Sequence, residues 1–153
     1  MKQKIIATVL ALSSATAFAA PEEIGPSVVY KTEGSFEDVN MDLKDAITGR
    51  GMVISYTSHA KTMLDRTGPD LGVKNPVYKD EALIHLFCKA DLSHKLVKSN
   101  PHNISLCPYA MAVYTLTGEE DTVYVSFRKP YMDDPTYAPI NDLLNEIAEE
   151  VTE

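Results

Sequence analysis

The chain has no long apolar run outside its first residues, no excess of basic charge, no C-x-x-C pair and no recognisable catalytic signature. Each absence closes off a class of function. A membrane-spanning helix needs roughly 20 predominantly apolar residues, and no segment after the N-terminus reaches that. No nucleic acid or membrane partner is expected, because the surface is acidic and repels phosphate and anionic lipid. The lack of C-x-x-C-H excludes covalent c-type haem attachment, and no common zinc spacing is present. There is no G-x-S-x-G, no H-E-x-x-H, no glycine-rich phosphate loop and no EF-hand, so a hydrolase or kinase has nothing to rest on. No catalytic residue is assigned, and the chain is read as leaning away from an enzyme.

What is present begins with an export signal. Lys2 and Lys4 precede an uncharged apolar stretch, Ile5 to Leu12, and Ala17-Phe18-Ala19 supplies the small-x-small cleavage pattern. Residues 1–19 therefore read as a signal peptide cleaved after Ala19, with the periplasm as the destination. Residues 20–26 form a polar leader, and residues 27–153 a single domain. Removing Lys2 and Lys4 from the 14 basic residues leaves 12 against 22 acidic ones. About 134 residues are enough to bury a core without disulfide or metal support. The acidic surface suits a basic protein partner.

Periodicity divides the domain. Val28 to Lys31 reads as a strand. Ser35 then looks like an N-cap, followed by a helix with Phe36, Val39, Leu43, Ala46 and Ile47 on one face, ending near Gly49 and Gly51. Met52 to Tyr56 is a second strand, so the chain opens β-α-β. Ser58 caps a short helix, His59 to Arg66, broken at Thr67-Gly68-Pro69-Asp70, and Leu71 to Tyr78 reads as loop. Asp80 to Cys88 carries Ala82, Leu83, Leu86 and Phe87 at helical spacing, and Asp91 to Ser99 is a further helix stopped by Asn100-Pro101. Ile104 to Leu116 reads as a long buried strand with Pro108 at an edge or bulge. Thr117 to Asp121 turns into the alternating strand Thr122 to Arg128. After a proline-rich link, Ile140, Leu143, Leu144, Ile147 and Val151 mark a terminal amphipathic helix. The expected fold class is α+β, a mainly antiparallel sheet with helices packed on one face.

The segments VVYKTEGSFEDVNMDLKDAI, GMVISYTSHAKTML with the DRTG after it, LFCKADLSHKLVKSNPHNISLCPYAMAVY and VYVSFRKP are similar in order and content to domain-of-unknown-function family 302, in its exported, cysteine-containing branch. The resemblance runs from about Val28 to Pro130. It implies a small α+β domain with an antiparallel sheet, often dimeric, and no established reaction.

Candidate chemistry is sparse. His59 and Met63 are four apart in the expected helix and would share a face. Imidazole and thioether suit non-covalent haem b or a soft metal, held in a pocket over the sheet and between two subunits. The plainer reading is a helix with one histidine at its rim. Cys88 and Cys107 read as one disulfide in an oxidising compartment, with two buried free thiols or a ligand role as alternatives. A thiol-redox protein using this pair, or a pure interaction module, stands beside the ligand-binding reading. Metal at Cys88, His94 and Cys107 finds no matching pattern. His94, His85 and His102 read as solvent-facing. Arg66, Arg128 and Lys129 could grip an anion, although in an acidic chain such residues more often form salt bridges. Glu119, Glu120 and Asp121, and Asp133 with Asp134, read as solvated.

Overall fold

The alternation of branched and aromatic residues with polar ones produces a six-stranded sheet, and the helical stripes close over it. The computed structural model describes residues 20–129 and 135–153. The expected signal peptide with its expected cleavage site, and Asp133 and Asp134, lie outside the described residues. The strands are β1 (Glu22–Ile24), β2 (Ser27–Glu33), β3 (Val53–His59), β4 (Tyr78–Cys88), β5 (Tyr109–Leu116) and β6 (Thr122–Arg128). The helices are α1 (Phe36–Gly49), α2 (Ala60–Thr67), α3 (Ala90–Ser99) and α4 (Ala138–Thr152). The sheet order is β1-β2-β6-β5-β4-β3, and every neighbouring pair is antiparallel. The architecture is α+β, as expected.

Because all neighbours are antiparallel, β2 and β3 run in the same direction with β6, β5 and β4 between them. The β-α-β opening is thus a crossover in which α1 carries the chain from one side of the sheet to its far edge. Ser35 caps α1: its side chain accepts from the Asp38 amide at 3.1 Å, and Glu37 and Asp38 meet the positive end of the helix dipole.

One core lies between the sheet and α1 with α4. The buried face of α1 is Phe36, Val39, Leu43, Ala46 and Ile47, the stripe read from the sequence. That of α4 adds Ala148 to Ile140, Leu143, Leu144, Ile147 and Val151. Facing them are Val123, Val125 and Phe127 of β6 with Met111 and Val113 of β5. Leu96 of α3 joins the same cluster.

Three expectations are corrected. Asp80 to Cys88 is strand β4 and not helix. Its neighbours β3 and β5 leave it between two partners, with Leu83, His85 and Phe87 buried on one face and Ala82 on the other. An apolar set on both faces gives a near-continuous run that also fits helical spacing. Ile104 to Leu116 is divided: a 3-10 turn spans Pro101–Leu106, and β5 starts after Pro108, which follows a cis peptide bond. Pro108 cannot donate to the ladder. Finally, the aperiodic leader forms β1, which turns at Gly25, φ +57°, and pairs back on β2.

A recess beside the Cys88–Cys107 disulfide

Cys88 ends β4 and Cys107 ends the 3-10 turn before β5; they form a disulfide with a Cα–Cα distance of 6.3 Å. This link holds the α3 and 3-10 segment onto the sheet. Beside it is an open recess of about 330 Å³, in the range of small-ligand pockets. It is lined by Leu86, Tyr109, Ala110 and Arg128 of the sheet, by Ser105, Leu106 and Pro108 of the segment before β5, and by Tyr137, Ile140 and Leu144 at the start of α4. The lining is mostly apolar. The lining residues that carry polar groups are Ser105, Tyr109, Tyr137 and Arg128.

The wall is tied down by buried polar contacts. The Tyr137 hydroxyl donates to Asn103 Oδ1 at 2.8 Å. Asn103 Nδ2 in turn donates to the Leu96 carbonyl at 3.3 Å and the Ser99 hydroxyl at 3.4 Å. A buried amide satisfied this way fixes a loop that its backbone alone would not. Ser93 Oγ lies 3.5 Å from Cys107 Sγ and 3.4 Å from the Tyr109 hydroxyl. Burial pushes the Tyr109 hydroxyl's pKa up.

The residues singled out from the sequence fall in different places. Arg128 lines the recess; Lys129, next to it, pairs with Glu23 at 2.6 Å. Arg66 and Arg128 form no ion pair with the described residues. His59 and Met63 do not line the recess. His59 closes β3 opposite Leu83 and caps α2 from outside, so it does not share a helical face with Met63. Both are exposed, and His59 Nδ1 lies 3.8 Å from Glu81 Oε2. Among the described residues no three His, Cys, Asp or Glu side chains gather as a metal site. His94 and His102 are exposed as expected, as are Glu120 and Asp121, whereas Glu119 is half-buried and accepts a hydrogen bond from the Tyr124 hydroxyl.

His85 departs from expectation. It is 1% exposed and faces α1 from β4. Asn40 Oδ1 can only accept, so His85 Nε2–H donates to it at 2.8 Å; Nδ1 then accepts from the Thr57 hydroxyl at 2.9 Å. Burial, with Lys44 and His59 nearby, pushes its pKa down to about 4. The neutral imidazole is a fully bonded bridge between α1 and the β3–β4 edge. Reading 80–88 as a helix hid this, since the alternation Leu83, His85, Phe87 places the ring inward only on a strand.

The sequence profile of the family described as Domain of unknown function DUF302 matches residues 28–153. Among solved structures, an uncharacterized conserved DUF302 protein from Bacillus stearothermophilus has a similar fold, with a TM-score of 0.66 at 14% identity, covering 84% of this chain and 99% of that one. No curated protein matches the chain. At that identity the likeness speaks for the fold, while the profile covers the sheet from β2 onward and all four helices, and on that ground the chain belongs to the DUF302 family.

Proposed function

We propose that the mature chain is a non-enzymatic ligand-binding or accessory protein of the periplasm, and that its ligand occupies the recess beside the disulfide. The observation that carries this reading is the recess itself: a mostly apolar cavity of about 330 Å³ whose wall is held by a disulfide and a closed Tyr137–Asn103 hydrogen-bond pair. Preformed, mostly apolar concavities with a few polar groups are where small ligands bind. The signal-like N-terminus supports the location.

Native mass spectrometry of protein purified from its own compartment tests it. A co-purified small molecule is expected, lost from an Ala110→Phe variant that enlarges a side chain lining the recess. Retention of the same molecule by that variant would place the ligand elsewhere.

A second reading keeps haem b or a soft metal at His59 and Met63, between two copies of the chain. It is favoured by the exposure of both donors, Met63 at 47%, beside an exposed apolar surface of Leu64, Leu71, Val73 and Val77. A visible spectrum before and after dithionite decides it. A Soret band that shifts on reduction and disappears in His59→Ala supports it; a featureless visible region with no bound metal excludes it.

A further inference from the structure

We propose that the recess selects an apolar molecule ending in a single anionic group, with Arg128 holding the anion and the α4 wall holding the apolar body. This deepens the reading that the recess is the ligand site and rests on it. Arg128 ends β6 and lines the cavity, and the other lining residues are Ser105, Tyr109, Tyr137 and apolar groups. Among the described residues it forms no side-chain hydrogen bond and no ion pair, although acidic side chains outnumber basic ones by 22 to 14 in the chain. Its neighbour Lys129 is neutralised by Glu23. Among the described residues, the recess therefore presents an unopposed positive charge next to apolar surface.

The chemistry of recognition follows from that pairing. A guanidinium offers a planar fork of donors that matches a carboxylate in two parallel hydrogen bonds. Ser105, whose hydroxyl otherwise donates to the His102 carbonyl at 3.3 Å, is a further polar group on the rim. The apolar body of the ligand lies against Leu106, Ile140 and Leu144, where removal of apolar surface from water drives binding. A dianion gains little more from one arginine and must overcome the repulsion of the acidic surface, so a single charge is favoured. An amine of the same chain length meets Arg128 as a like charge.

Isothermal calorimetry of the full mature chain with octanoate, octanol and octylamine tests the assignment. Octanoate is expected to bind tightest. Arg128→Gln should weaken octanoate roughly five- to tenfold, as loss of a partly exposed charge-assisted hydrogen bond does, and leave octanol unchanged. Arg128→Lys should recover part of the loss. Equal binding of octanoate and octanol by the unaltered protein would overturn the anion proposal while keeping the recess as an apolar site. Tightest binding of octylamine would overturn it in favour of a cation. Binding of none of the three would remove both the proposal and the recess reading. The comparison within the unaltered protein holds even where an Arg128 variant fails to fold.

Discussion

His85 is the residue at which the physical chemistry is most sharply defined. Its two nitrogens are occupied by Asn40 and Thr57, and burial away from water is what favours the neutral ring. The unfolded ring titrates near 6.5 and the folded one near 4, so the unfolded state takes up the proton first. Stability is then complete above pH 6.5, falls as pH drops from 6.5 to about 4, and gains no further loss from this group below that. The expected loss is no more than roughly 3 to 4 kcal/mol, from 1.36 kcal/mol per pKa unit. Urea unfolding of the unaltered protein and His85→Gln at stepped pH measures it: the stability difference between them should shrink across that window. A difference that stays constant with pH would mean that the ring is not held neutral. Tyr30 shows the same logic from the other side. Burial and Glu149 push its hydroxyl up to about 12, and it stays a donor to Asn145 at 2.8 Å, joining β2 to α4.

Among the elements, α1 was readable because its N-cap, acidic first turn and apolar stripe agree with one another. Ser35→Ala should cost about 1 kcal/mol, the usual worth of a side-chain cap, and thermal unfolding would show it. The segment from β4 to β5 was less readable. β4 is apolar on both faces, so its apolar residues follow no single period, and the 3-10 turn over Pro101–Leu106 is held by Asn103 reaching Leu96 and Tyr137. Neither partner is a sequence neighbour of the turn. The disulfide closes this segment, with a sequence separation of 19 between the two cysteines. Its removal in a Cys88→Ser, Cys107→Ser double variant should destabilise the fold by about 3 kcal/mol on the chain-entropy account, read from the urea midpoint. It should also weaken octanoate binding, because Leu106 and Pro108 flank Cys107 in the recess wall. Unchanged octanoate affinity in the double variant would show that the wall holds its shape without the bond. The thiol-redox alternative makes the opposite demand: a disulfide opened by millimolar dithiothreitol while the sheet stays folded.

At the scale of the whole molecule, the location proposal predicts that protein recovered from the periplasm starts at Ala20, which an intact-mass measurement checks; a chain retaining Met1 in the cytoplasm would refute it. The acidic balance and the family were legible because they reside in composition and local order: 22 acidic residues against 14 basic ones, and long motifs in sequence. The same holds for α1, β6 and α4, whose burial follows a single period. The pairing of Cys88 with Cys107 stood among the readings, but tertiary structure settled it by bringing the end of β4 to the start of β5. The order β1-β2-β6-β5-β4-β3 needed the fold as well, since it sets strands that are distant in sequence side by side. The recess belongs to that second category. Leu86, Leu106, Arg128 and Leu144 come from four separate segments and share no motif. Local preference can shape a segment, but a cavity exists only where packed segments fail to fill the space between them.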